Sequence, residues 1–156
     1  MSYTKAKRRI LFYSTSTEYG EFSNFARFPI VLKGKKWPTS EHFFQAMKFS
    51  SVSDRDEIMM AKTPSEAARR GRDRKKKLRR DWESIKVQTM REAIKAKFTQ
   101  HPDLCELLLS TDEAILVEHT DTDNYWGDGG DGKGRNMLGR LLMELRSELQ
   151  ETFNNA

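Results

Sequence analysis

The chain has 156 residues, 28 Lys and Arg against 23 Asp and Glu, a formal net charge of +5 and 37% hydrophobic residues. That length fits one domain burying roughly 70% of the surface its unfolded chain exposes, and 9 Phe, 4 Tyr, 3 Trp and 7 Met exclude a disordered composition. The single cysteine, Cys105, excludes an internal disulfide and a multi-cysteine metal site. No apolar run is long enough to span a bilayer, and the start of the chain lacks a signal-peptide core, so a cytoplasmic protein without membrane contact is expected. The positive balance suits a partner or substrate that carries phosphate.

Residues 10–13 read as a short buried strand, followed by a turn-rich segment through Gly20. Phe22, Asn24 and Phe25 form a loop in which two aromatics flank an amide. Pro29 opens a second strand over residues 30–33, and Gly34 starts the turn out of it. Most of the remainder reads as helical. Trp37-Pro38-Thr39-Ser40 supplies N-cap candidates for a helix over residues 41–50, and a short helix follows over 54–61. Thr63-Pro64-Ser65-Glu66 is a capping box with proline at the first helical position, and Gly71 sits where the residue after a helix end belongs. Residues 82–98 form the longest helix, capped by Asp81; its apolar positions cover more than half the circumference and place it at the centre of the core. A helix over residues 102–109, a third strand over 114–119 and a last helix over 137–150 complete the order. The fold class is α+β, a mainly α-helical single domain over residues 1–156 with a small β-sheet and flexible ends at 1–9 and 151–156.

Three stretches carry candidate chemistry. On a wheel of 100° per residue, Glu41, Gln45 and Lys48 share one helix face, while Trp37, Phe43, Phe44 and Phe49 surround it. That face is either a solvated ion-pair surface or a carboxylate and an amine held among apolar groups. In the second case the carboxylate tends toward general acid–base work and the amine toward nucleophilicity. Residues 69–80 hold nine bases in twelve positions, which reads either as solvated surface or as phosphate binding, with Arg72 directly after Gly71. The run lacks interleaved aromatics for base stacking.

The third stretch, residues 121–139, holds six of the nine glycines, the acids Asp121, Asp123, Asp128 and Asp131, and the Tyr125-Trp126 pair. It runs into a strong amphipathic helix, an arrangement that suits an anion or serves as a tight structural turn. It matches neither the P-loop nor the EF-hand pattern. His42, His101 and His119 show no metal-ligand spacing, so no metal site is expected, and Cys105 reads as buried and inert.

Residues 12–16, 20–25, 37–49, 71–72, 81–83, 97–98, 125–129 and 134–146 resemble, in order, the motifs of the NADAR superfamily, in particular its YbiA-type branch of riboflavin-biosynthesis-intermediate N-glycosidases. The resemblance implies a YbiA-like fold and cofactor-free hydrolysis of a C–N glycosidic bond. The implied substrates are the first two riboflavin-biosynthesis intermediates, and release of ribose 5-phosphate serves metabolite damage control. It implies Glu41 as the first carboxylate, Asp123 as the second, and Lys48 as an amine able to attack C1′. Trp82 and Trp126 would stack on the base or exclude water, or belong to the core. Arg72 and the backbone from Gly127 to Gly134 would hold the phosphate. Asn24, Phe25, Gln45 and Asn136 would contact ribose or base.

Other members of the superfamily act on ADP-ribosyl linkages, so an ADP-ribosylated small molecule or modified nucleic acid is the alternative substrate. A non-enzymatic alternative, read from the basic run itself, is a nucleic-acid-binding module over residues 69–80. Asp128 and Asp131 fall outside the superfamily pattern.

Overall fold

The computed structural model describes residues 7–155. They form two compact units, one of Asn24–Pro102 and one of the described residues up to Ser23 together with those from Asp103 onward.

In the Asn24–Pro102 unit, β2 (Ile30–Leu32) pairs antiparallel with β3 (Lys35–Trp37), placing Ile30 opposite Trp37. Lys33 and Gly34 between them have φ of 53° and 74°, which is the two-residue turn whose twist matches a hairpin. Helix α1 (Ser40–Ala46) begins at Thr39, whose hydroxyl accepts the His42 N–H at 3.1 Å, and all seven of its residues are buried. Ser51 caps α2 (Val52–Met59). The capping box forms as read: the Thr63 hydroxyl accepts the Glu66 N–H at 3.0 Å, and the Glu66 carboxylate accepts the Lys62 N–H at 3.1 Å, starting α3 (Pro64–Gly71). Helix α4 (Trp82–Gln100) packs on α1 and β2 and buries Met90, Ala93, Ile94 and Phe98. Trp37 meets Phe43 edge-on at 5.5 Å and Phe44 meets Trp82 at 5.0 Å. Such pairs contribute about 0.5–1.5 kcal/mol each beyond the area they bury.

The other unit pairs β1 (Arg9–Phe12) in parallel with β4 (Ile115–Glu118), with Ile10 beside Leu116. Helix α5 (Pro102–Ser110) precedes β4, and α6 (Met137–Asn154) packs against it. The buried face of α6 is Leu138, Leu141, Leu142 and Leu145, the i, i+3, i+4, i+7 stripe of an amphipathic helix.

Several expectations are corrected. The small sheet is two separate two-stranded ladders, and β3 was not anticipated. Helix α1 ends at Ala46, with Met47 as its cap, rather than at Ser50. Gly71 lies inside α3, and the cap is Arg72. Asp81 makes no side-chain cap on α4, because its carboxylate binds the Arg79 guanidinium through two bonds of 2.8 and 3.0 Å. Arg9 opens β1 and residues through Asn154 continue α6, inside the stretches expected to be flexible; residues 1–6 and 156 lie outside the described ones. Cys105 is only half-buried, and burial still pushes its thiol up, away from the reactive thiolate. Among the described residues no helix is long and apolar enough to cross a membrane.

Candidate active site

Glu41 is the second residue of α1 and is 8% exposed. A carboxylate in the first helical turn is favoured by the unsatisfied N–H groups there. One turn later Gln45, also buried, donates from Nε2 to Glu41 Oε1 at 2.7 Å. The chain leaves the helix after Ala46, yet Lys48 stays on the same side, held by its N–H on the Gln45 carbonyl and by the Arg79 N–H on its own carbonyl. Burial pulls the Lys48 amine below the ordinary lysine range. Glu41 opposes that shift, Arg72 and Arg74 add to it, and Glu83 opposes it. One electrostatic neighbourhood thus holds a buried carboxylate, an amine with a raised neutral fraction, and two guanidinium groups.

The basic run divides into two sets. Arg69 and Arg70 pair with Glu66, Lys76 with Glu57 and Asp73, and Arg79 with Asp81. Arg72, Arg74, Lys75, Lys77 and Arg80 are exposed and lie outside the ion pairs found among the described residues. The paired set fastens the segment and the unpaired set faces water.

Of the other residues expected in this unit, Trp82 is buried against Phe44 and Phe25 is exposed. Asn24 Oδ1 accepts the Ser40 hydroxyl at 2.8 Å and its Nδ2 reaches Met90 Sδ at 3.2 Å, so it ties down the start of α1. Arg74 and Glu83 were not singled out in the sequence as neighbours of Lys48; the only signal for Arg74 was its membership in the basic run.

In the other unit, the glycine-rich stretch is closed by its own carboxylates. Asp123 Oδ1 accepts the N–H groups of Tyr125 and Trp126, both at 2.9 Å, and its carbonyl accepts the Gly129 N–H at 3.0 Å. Gly129 and Gly130 then take φ of 74° and 83°, which glycine adopts without steric cost. Asp128 is 4% exposed; Oδ1 accepts from Thr120 N at 3.1 Å and Gly130 N at 2.9 Å, and Oδ2 accepts the His119 Nδ1–H at 2.8 Å. Asp131 accepts the Lys133 N–H at 2.9 Å. Asp128 and Asp131 therefore act inside the loop. The His119–Asp128 pair, nine positions apart, had no periodic signal in the sequence.

Gly127 and Gly134 bond into the same loop: the Gly127 carbonyl accepts the Asn136 N–H at 2.9 Å, and the Gly134 N–H reaches the Asp128 carbonyl at 2.8 Å. The Asn136 carboxamide accepts the Glu118 N–H at 3.0 Å and donates to the Leu116 carbonyl at 2.9 Å, committing both ends to the β4 backbone. Trp126 is half-buried and meets Tyr125 edge-on at 5.0 Å, with the Arg135 guanidinium 5.6 Å from the Tyr125 ring centre.

Burial alone would raise the Asp128 carboxyl, but the His119, Gly130 and Thr120 bonds outweigh it and hold the group below the usual 3.8. A depressed carboxylate stabilises the fold at pH above its unfolded value, and that contribution is lost as pH falls through the folded value. Acid titration followed by near-UV circular dichroism should therefore show wild type losing a contribution below about pH 3.8 that Asp128→Asn lacks. Parallel acid transitions for the two proteins would contradict it.

The comparisons with known proteins identify the family of the chain. The NADAR domain family model matches residues 11–150, a span that runs through both units. The chain is 61% identical over 140 residues to N-glycosidase YbiA of Escherichia coli (strain K12), covering 90% of this chain and 88% of that protein. It is 44% identical over 148 residues to an N-glycosidase of Nostoc punctiforme, covering 93% and 95% of the two. It is 47% identical over 158 residues to the chloroplastic riboflavin biosynthesis protein PYRR of Zea mays, covering 92% of this chain and 25% of that one. The NMR structure of E. coli YbiA superposes with a TM-score of 0.90 at 56% identity, covering 98% of this chain and 91% of that one. The family model and these relatives converge, and the chain belongs to the NADAR family.

Proposed function

We propose that this protein is an N-glycosidase that hydrolyses the C–N bond of the first two riboflavin-biosynthesis intermediates, which are phosphoribosylamino-pyrimidines. The products are ribose 5-phosphate and a diaminopyrimidine, and the role is metabolite damage control in the cytoplasm, carried out by one domain without cofactor. The observation that carries the reading is Glu41: a buried carboxylate, hydrogen-bonded by Gln45 and near Lys48, whose amine also feels Arg72 and Arg74. The names of its relatives support it, both the N-glycosidases and the riboflavin biosynthesis protein.

Cleavage passes through an oxocarbenium-like state at C1′, which a nearby carboxylate stabilises. In our reading Glu41 does this and takes a proton from the attacking water, and the leaving nitrogen ends as an amine. Arg72 binds the phosphate, and Phe25 and Trp82 line the sugar and base. The roles of Asp123 as second carboxylate and of Trp126, Gly127 and Gly134 in binding rest on the family resemblance alone. Asn24 acts by fixing the Ser40 side chain at the start of α1, and Asn136 by holding the β4 backbone. Incubating the purified protein with the ring-opened phosphoribosylamino-pyrimidine should release ribose 5-phosphate, detected by mass spectrometry; no release would sink this reading.

The lowered Lys48 amine favours a second route for the same bond. Lys48 Nζ attacks C1′ of the ring-opened sugar, the aminopyrimidine departs as an amine, and water hydrolyses the resulting lysine imine. Borohydride during turnover should then leave a sugar adduct on Lys48 that Lys48→Arg does not form. Absence of the adduct on wild type counts against the imine. The five exposed cations outside the ion pairs favour an alternative substrate with more phosphate, an ADP-ribosyl group on a base or nucleic acid. A substrate panel decides between them by kcat/KM.

A further inference from the structure

Gln45 carries a cost that the fold alone does not explain. Its Oε1 is shut off from water and has no hydrogen-bond partner. A buried acceptor in that state costs about 1–3 kcal/mol, and native proteins keep few of them. Turning the amide over would not help, because Oε1 would then face the Glu41 carboxylate that Nε2 now binds at 2.7 Å.

Gly71 shows a matching cost. It is the last residue of α3, where glycine is still a poorer helix former than alanine, and it neither caps the helix nor takes a positive φ. A Cβ built on Gly71 would fall on Gln45 Oε1, 2.8 Å from Cδ and 3.1 Å from Cβ of the same side chain. The missing methyl is the room in which the Gln45 amide lies. The orphan acceptor and the helical glycine therefore serve the same thing, the hydrogen bond from Gln45 to Glu41.

We propose that Gln45, seated against Gly71, is a positioning residue that fixes the rotamer of Glu41 for attack at the glycosidic carbon. Glu41 Oε1 is held by an N–H that cannot swing away, because α3 blocks the amide from behind. The carboxylate plane is set before substrate arrives, so the reaction does not spend binding energy on orienting it. This inference rests on the N-glycosidase reading with Glu41 as the reacting carboxylate.

The test uses the full chain and the ring-opened phosphoribosylamino-pyrimidine. Gln45→Met should lower kcat about 100-fold, the cost of a small misplacement, with KM moving less than about 3-fold. Its Tm should hold or fall modestly, since relief of the orphan acceptor is offset by loss of the donor to the buried Glu41 carboxylate. Gly71→Ala should push the Gln45 amide aside and cause a comparable fall in kcat. In a Gln45→Ala background only the Cβ of residue 45 remains near the new methyl, at 3.1 Å, so Gly71→Ala should then leave kcat unchanged. Additive losses in that cycle, or a Gln45→Met enzyme within about 3-fold of wild type in kcat, overturn the proposal and leave the glycosidase reading standing. A wild type that releases no sugar phosphate removes both together. Should Gln45→Met fail to fold, the Gly71→Ala and Gln45→Ala cycle decides alone.

Discussion

Glu41→Gln lowers kcat by about 10²–10⁴-fold, the range by which a positioned acid–base group accelerates a reaction, while the protein keeps its thermal transition. The substitution preserves shape, and the new carboxamide oxygen can still accept the Gln45 N–H that now reaches Oε1 at 2.7 Å. What disappears is the negative charge beside the developing cation, and the ability to take a proton. KM should change little, because the charge matters most in the transition state. Steady-state kinetics on the phosphoribosylamino-pyrimidine, with calorimetry as the folding control, measures both. A variant with full rate removes Glu41 from the mechanism even if the activity itself is confirmed.

The second large effect is on stability. Asp128→Ala removes the acceptor for Thr120 N, Gly130 N and His119 Nδ1 at once, and leaves the Thr120 donor buried without a partner. A loss of about 3 kcal/mol is expected from these charge-assisted bonds. Asp128→Asn, which keeps the shape and one acceptor, should lose about 1 kcal/mol. Urea unfolding at neutral pH reads the difference as a shift in midpoint at constant slope. Equal midpoints for wild type and Asp128→Ala would show that the glycine loop is held by something other than this carboxylate.

Elements governed by short-range rules were legible in the sequence. The box Thr63-Pro64-Ser65-Glu66 fixed the start of α3, because both of its bonds lie within five residues. The leucine stripe of α6 was legible because its period is its own evidence. β3 escaped because Lys35-Lys36-Trp37 has little strand character; its signal was the Lys33-Gly34 turn, which shows only when both φ values are seen to be positive. Gly71 was read as a stop signal because sequence cannot say which side chain presses on a glycine, and here it is Gln45. Glu41, Gln45 and Lys48 were correctly placed on one side although the helix ends between them, since a turn at Met47 nearly continues the helical path. Asp128 could not be placed from sequence because its partners come from the end of β4 and from the loop itself, which only the fold brings together.

Glycine loses more freedom on ordering than any other residue, and a stretch with six glycines in nineteen residues would normally leave that loss to the moment a ligand binds. Here Asp123, Asp128 and Asp131 turn inward and collect the N–H groups of the loop, so the loss is met when the chain folds. A ligand that touches this loop finds a backbone already ordered, and the contact is not diminished by an entropic penalty of association.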